Sequence, residues 1–278
     1  TYRDIAAQYP KAWHLGLTAT PERADGAGLR DAFDELVVGA TVRELQADGY
    51  LAACDVLAPA RRQNGLAIDA KGRLVTPPFV DAHFHMDATL SLGLPRLNQS
   101  GTLLEGIALW GELKPLLTQE AIANRALAYC DWAVAKGLLA IRSHVDICDP
   151  RLLAVDALLD VKKKVKPYLD LQLVAFPQDG VFRFAGAMDL LKTALDRGVD
   201  VVGGIPHFER TMADGAASVR ALCEIAAERG LLVDMHCDET DDPMSRHVET
   251  LASETQRLGL QGRVTGSHLT SMHSMDNY

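Results

Sequence analysis

The chain has 278 residues, 48% of them hydrophobic, which is enough to bury a sizeable core in one large α/β domain or two smaller ones. Its formal net charge is −9 and its basic runs are no longer than the cluster Lys162–Lys164, so nucleic acid is not expected as a main partner. The five cysteines form no Cys-x-x-Cys pair, and the sequence shows neither a secretory leader nor a long apolar span, so a reduced, cytoplasmic protein without a membrane segment is expected.

The first sixty residues differ in character from the rest of the chain. A short apolar strand at Trp13–Thr18 and two short helices are expected there, which together make a poor core. The segment Leu15–Leu29, with Gly49–Leu51 behind it, resembles the end of the first motor domain of superfamily-two helicases, whose Thr-Ala-Thr element would fall at Thr18–Thr20. No Gly-x-x-x-x-Gly-Lys-Ser/Thr phosphate loop occurs in the chain, so residues 1–60 are interpreted as a helicase-like α/β fragment without motor activity.

From residue 61 to residue 278, short apolar strands alternate with longer helical stretches. The strands are expected at Val75–Ala82, Leu138–Val145, Leu169–Phe176, Val199–Ile205, Leu231–His236 and Arg263–His268. The helices are expected at Gln119–Lys136, Leu152–Val165, Ala187–Arg197, Ala216–Arg229 and His247–Leu258. This alternation predicts a parallel sheet covered by helices.

Polar residues follow most of these strands at their carboxyl ends. They include His83 and His85 after the first strand, Gln178 after the third, His236 and Glu239 at the fifth, and His268 at the sixth. In (β/α) barrels this end of the sheet forms the mouth of the active site. A doubly wound open sheet would also alternate strands and helices, but the chain has no Gly-x-Gly-x-x-Gly turn. An incomplete TIM-type (β/α)8 barrel is therefore predicted.

The pair His83 and His85 is the first candidate for chemistry. Side chains alternate along a strand, so two histidines two residues apart lie on the same face and can grip one divalent metal ion as neutral imidazoles. His236 is the third candidate ligand, because a metal that activates water keeps an open position beside a few protein ligands. Glu239 lies three residues beyond His236, where it could shuttle protons or, alternatively, pair with Arg246 as an ordinary loop carboxylate.

The other polar or aromatic candidates are interpreted as structural. His144, Asp146 and His207 lie at strand ends, where hydrogen bonding behind the ligands is expected rather than ligation. His247 is expected at the surface. Trp110 lies in a helical stretch and is expected in the core rather than stacked on a substrate.

Six segments in the second part of the chain resemble bacterial cytosine deaminases of the metal-dependent amidohydrolase superfamily. They are Pro77–Asp87, Asn98–Gly106, Phe176–Gly180, Gly204–Glu209, His236–Glu239, and Ser267-His268 with Met272-His-Ser274. The similarity runs from about Leu66 to the end, with the motifs in the right order. It implies hydrolytic deamination of cytosine to uracil and ammonia at one divalent metal ion, with Fe2+ as the expected ion and Zn2+ accepted. It also allows a homo-oligomer in the full-length parent.

The same resemblance implies roles for individual residues. The ligands of the metal would be His83, His85 and His236. Gln178 would hydrogen-bond the amide edge of the pyrimidine. Glu239 would move protons between the attacking water, the ring and the leaving amino nitrogen, and His268 would orient that water.

The chain ends just after the sixth strand, whereas the family carries a further metal-site Asp at the end of its eighth strand. Impaired activity is therefore expected for the chain as given. Three alternatives stay open: an amidohydrolase acting on another amino-substituted N-heterocycle such as a triazine, an inactive chimeric fragment, and a nucleic-acid motor fragment. Gln178 favours a pyrimidine with an amide edge over the triazine. The absence of a phosphate-binding loop and the net negative charge argue against a nucleic-acid motor.

Overall fold

The computed structural model describes residues 77–276 of the chain. The helicase-like segment predicted for residues 1–60, and its boundary with the barrel at residue 61, lie outside these residues and stay predictions. None of the helices in the described part combines the length and the apolar character needed to cross a membrane.

Six strands form one parallel sheet, in which each strand pairs with the next strand of the chain. The strands are β1 (Phe79–Phe84), β2 (Leu138–Asp146), β3 (Asp170–Phe176), β4 (Val201–Gly204), β5 (Leu232–Cys237) and β6 (Val264–His268). The helices are α1 (Leu103–Leu113), α2 (Gln119–Ala135), α3 (Leu153–Val165), α4 (Ala187–Asp196), α5 (Met212–Arg229) and α6 (His247–Arg257). Short 3-10 turns cover Lys114–Leu116, Pro206–Phe208 and Thr270–Ser274.

The helix boundaries follow local capping chemistry. The side chain of Thr118 accepts a hydrogen bond from the backbone N–H of Ala121 at the start of α2, and Thr211 does the same for Asp214 at the start of α5. Helix α5 ends at Gly230, whose φ of 68° gives the left-handed residue that commonly closes a helix. Helices α2 to α6 lie where the apolar periodicity predicted them, although α5 begins four residues earlier, at its Thr211 cap.

The sheet is rolled rather than flat. Six strands at the usual spacing would separate β1 from β6 by about 24 Å in a flat sheet. The rings of His83 on β1 and His268 on β6 are instead 4.7 Å apart between centroids. Strong curvature of a parallel sheet with helices between its strands is the geometry of a TIM-type barrel, so the predicted α/β class and partial barrel are confirmed.

Candidate metal centre

Four histidine side chains converge at the carboxyl ends of three strands. His83 lies on β1, and His85 is the first residue after this strand. His144 lies on β2 and His236 lies on β5. One ring nitrogen from each lies within 4.8 Å of those of the others. The Nε2 atoms of His85 and His236 are 2.9 Å apart, although these residues are 151 positions apart in the sequence. The rolled sheet thus brings the three predicted ligands together.

His144 is the member of this cluster that was interpreted as a supporting residue. Its Nδ1 lies 3.4 Å from the carbonyl oxygen of Phe84, and its Nε2 lies 3.5 Å from Oδ1 of Asp234. Asp234 is itself held by Ser267 and Arg142, at 2.8 and 2.9 Å. The buried Nε2 of His144 makes no hydrogen bond and lies in the same cluster as the three predicted ligands, so the supporting role of His144 stays a prediction.

The charge state of the cluster suits a metal. Burial, reinforced by the neighbouring histidines, lowers the pKa of His83 to about 4 and that of His85 to about 3. The same causes hold the pKa of His236 far below its ordinary value. Neutral imidazoles are the form that binds metal ions.

The donor set also fits an ion sterically. Within the cluster, one buried ring nitrogen of each of His83, His144 and His236 has no hydrogen-bond partner, so the protein alone leaves these rings incompletely satisfied. Two nitrogens bound to one ion at about 2.0–2.1 Å lie about 3 Å apart, which is close to the separation of the His85 and His236 Nε2 atoms. His83, His85 and His236 therefore fit a single divalent ion.

Metal binding is expected to persist to unusually low pH. Protons compete with a metal only when the imidazoles become protonated, and this is half complete near pH 4 in His83 and near pH 3 in His85, rather than near pH 6.5. Zinc occupancy of the chain, measured by equilibrium dialysis between pH 4 and pH 8, should stay level down to about pH 5 and fall below it. A loss centred near pH 6.5 would show that the ligands are ordinary exposed histidines.

Glu239 and His268 form a second pair beside the cluster. Nδ1 of His268 lies 3.6 Å from Oε1 of Glu239, and both side chains are about one quarter exposed. The two loops that carry them are joined, because the N–H of Leu269 donates to the carbonyl of Cys237 at 2.9 Å. His268 has a φ of 71°, a strained value of the kind that concentrates at functional sites.

The alternative partner proposed for Glu239 is wrong. Arg246 hydrogen-bonds Glu249 in the first turn of α6. This leaves the Glu239 carboxylate facing His268 and the cavity.

A cavity of about 720 Å³ connects the three predicted metal ligands with Glu239 and His268. The predicted site residues that line it are His83, His85, Gln178, His236, Glu239 and His268. Helix α1 supplies an apolar wall through Leu103, Leu104 and Ile107. This helix was not predicted. A surface helix is recognised by apolar residues that recur every three or four positions, and the exposed leucines at the start of α1 do not follow that spacing.

Two further cavity residues have roles that the sequence did not reveal. Trp110 packs against the core, as expected, but it also lines the cavity and donates its Nε1–H to Oδ2 of Asp146 at 2.7 Å. Asp87 is buried, accepts the N–H of Asp146 at 2.8 Å, and has its pKa raised to about 7 by burial. An Asp two residues after the His-x-His pair was a weak signal for such a position.

The prediction that His247 lies at the surface is wrong. His247 is only 2% exposed, and its Nδ1 lies 2.8 Å from Oδ1 of Asp238. Asp238 also accepts the backbone N–H groups of His247 and Val248, at 3.1 and 2.9 Å, and so caps the start of α6. These bonds keep the pKa of Asp238 low despite its burial.

The chain is similar to several known proteins. A solved 5-methylcytosine deaminase from Klebsiella pneumoniae, liganded with phosphonocytosine, is 46% identical with a TM-score of 0.75, over 78% of this chain and 53% of its own. The N-isopropylammelide isopropyl amidohydrolase of Pseudomonas sp. strain ADP is 35% identical over 208 residues, which are 72% of this chain and 51% of that protein. A pterin deaminase from Rhizobium rhizogenes is 28% identical over 211 residues, 75% of this chain and 47% of that protein.

The chain spans about half the length of these curated relatives. The family model for the amidohydrolase family matches residues 66–278, which include every strand and helix described above. This match covers well over half of the sequence, and so the chain belongs to the amidohydrolase family.

Proposed function

We propose that this site hydrolyses the exocyclic carbon–nitrogen bond of cytosine, giving uracil and ammonia, or that of a closely similar aminopyrimidine, giving the corresponding oxopyrimidine and ammonia. The observation that carries the proposal is the convergence of three neutral histidines, a glutamate, a further histidine and a glutamine on one cavity. The likeness to a 5-methylcytosine deaminase at 46% identity supports the choice of ring.

A divalent metal ion, Fe2+ or Zn2+, would be held by His83, His85 and His236. When bound, it supplies the Lewis acidity that makes water a nucleophile near neutral pH. The remaining steps fall to the side chains around it.

Glu239 is proposed to move the protons of the reaction. It takes the two protons of the attacking water in turn and passes one to the ring nitrogen and the other to the amino group, which leaves as ammonia while the water oxygen becomes the new carbonyl. His268, whose Nδ1 is 3.6 Å from the Glu239 carboxylate, is proposed to orient the same water. Since one water is consumed and one ammonia is released, no other reactant is needed.

Gln178 is proposed to bind the substrate. An amide side chain offers both a donor and an acceptor, which matches the adjacent N–H and C=O of a pyrimidine amide edge. Gln178 lies just beyond β3 and lines the cavity with Glu239.

Replacing Gln178 by Ala should raise KM for cytosine by roughly three- to ten-fold, because it removes hydrogen bonds that orient the ring. This is checked by measuring KM and kcat with the purified, metal-loaded product of the full-length gene, called the gene product below. Gln256→Ala, an exposed glutamine on α6, is the matched control. An unchanged KM in Gln178→Ala would assign ring recognition to another residue.

Hydrolysis of a substituted triazine is the second candidate, favoured by the 35% identity to the N-isopropylammelide isopropyl amidohydrolase. The two are separated by following product release from cytosine, 5-methylcytosine, N-isopropylammelide and pterin with the metal-loaded gene product. We expect the highest kcat/KM with a cytosine. A kcat/KM for N-isopropylammelide above that for both cytosines would replace the proposed substrate while keeping the reaction class.

A further inference from the structure

We infer that Lys114 is a positioning residue that holds the Gln178 loop, residues 177–183, in its binding conformation through Asp179. The inference rests on the proposed role of Gln178 in substrate binding. Lys114 directly follows α1, and no motif in the sequence singled it out.

Lys114 bridges two carboxylates at the carboxyl ends of the neighbouring strands β2 and β3. Its Nζ lies 2.8 Å from Oδ2 of Asp146, at the end of β2, and 2.8 Å from Oδ2 of Asp179, beyond β3. It also donates to the carbonyl of Cys148 at 3.2 Å. The Lys114 side chain is 13% exposed. Burial alone would lower its pKa, but the two carboxylates outweigh that cost and hold the pKa above its usual range.

The Asp146 end of this bridge is a firm anchor. Asp146 is 3% exposed, and its Oδ2 also accepts the indole N–H of Trp110 at 2.7 Å. Its Oδ1 accepts the N–H of Cys148 at 2.7 Å. Because Asp146 is fixed by bonds that do not involve the loop, Lys114 transmits a fixed position to Asp179.

The other side of the Gln178 loop is held by Glu209. Oε1 of Glu209 accepts the N–H groups of Val181 and Phe182 at 2.7 and 3.1 Å, and Oε2 accepts that of Arg183 at 3.0 Å. Glu209 thus fixes residues 181–183, whereas Lys114 fixes Asp179, the immediate neighbour of Gln178. Gln178 therefore lies at the end of the loop whose position is held by Lys114.

Loss of the bridge should loosen this end without touching the metal ligands. A charge-assisted hydrogen bond is stronger than a neutral one, so its removal is expected to cost about ten-fold in the population of the ordered loop. The cost appears in substrate binding, because the glutamine must then be reordered when the ring binds.

The test compares Lys114→Met, Asp179→Ala and Lys114→Arg with the unmodified chain. Lys114→Met leaves the buried Asp146 short of a partner, so Asp179→Ala, which keeps the Lys114 to Asp146 contact, guards against general unfolding. Lys163→Met, at an exposed lysine on α3, is the matched control. Hydrogen exchange of the backbone amides of Gln178 and Gly180 is the first measurement, since these donate to Phe176 and Pro177 in the local turns.

We expect exchange at these amides to rise about ten-fold in Lys114→Met and Asp179→Ala, to return toward the original rate in Lys114→Arg, and to stay unchanged in Lys163→Met. The dissociation constant of the zinc-loaded chain for cytosine should rise by a similar factor in the first two variants, with zinc content unchanged. Unchanged exchange in both variants would overturn the inference, as would faster exchange with unaltered cytosine affinity. Faster exchange in a chain that does not bind cytosine even unmodified would support the loop anchor and overturn the proposed substrate.

Discussion

Glu239→Gln is expected to retain its metal while turnover of cytosine by the gene product falls by about two to four orders of magnitude. Glutamine keeps the shape and the hydrogen-bonding capacity of the side chain but can no longer take up and deliver the proton that the reaction moves. The carboxylate lies outside the histidine cluster and faces His268 at 3.6 Å, so its replacement leaves the ligands in place. Metal content by mass spectrometry and kcat by ammonia release check the two halves of this prediction.

The matched control is Glu249→Gln. This change removes an exposed carboxylate on α6 that pairs with Arg246, the residue just before the helix. It should change neither the metal content nor the turnover. If Glu239→Gln turned over cytosine within a few-fold of the unmodified protein, the proton shuttle would have to be assigned to another group in the cavity.

His85→Ala is expected to remove both metal and activity. His85 contributes the Nε2 that lies 2.9 Å from Nε2 of His236, so its loss takes away one of the three proposed ligands and its contact with His236. Metal content should fall from about one ion per chain to below about a tenth, and turnover to background, because the two remaining imidazoles hold an ion poorly.

His273→Ala is the comparison for this variant, since it deletes an exposed histidine outside the cluster. It should bind metal as the unmodified chain does. Full metal content in His85→Ala together with undiminished turnover would mean that the ion, or the reaction, depends on other residues.

The barrel could be predicted because its signals are local. Short apolar runs that alternate with helical periodicity specify parallel strands and their helices without any knowledge of long-range contacts. Helix α1 could not be predicted in the same way, because Leu103 and Leu104 at its start are exposed and face the cavity region instead of a core. The segment at residues 1–60 stays a prediction, since it lies outside the described residues.

The site was predictable in part for a similar reason. Alternation along a strand places His83 and His85 on one face, and parallel strands bring the end of β5 to the same rim. The burial of His247 and the bridge made by Lys114 could not be derived, because both depend on loops that meet only in three dimensions. Nothing in the spacing of Asp146 and Asp179 indicates that one lysine joins them.

The most direct test of the central claim is anomalous X-ray diffraction from crystals of the zinc-loaded chain. The account predicts one strong peak per chain, with ring nitrogens of His83, His85 and His236 at about 2.0–2.2 Å from it. A peak held by other residues, or the three imidazoles lying without an ion in zinc-saturated crystals, would contradict the account.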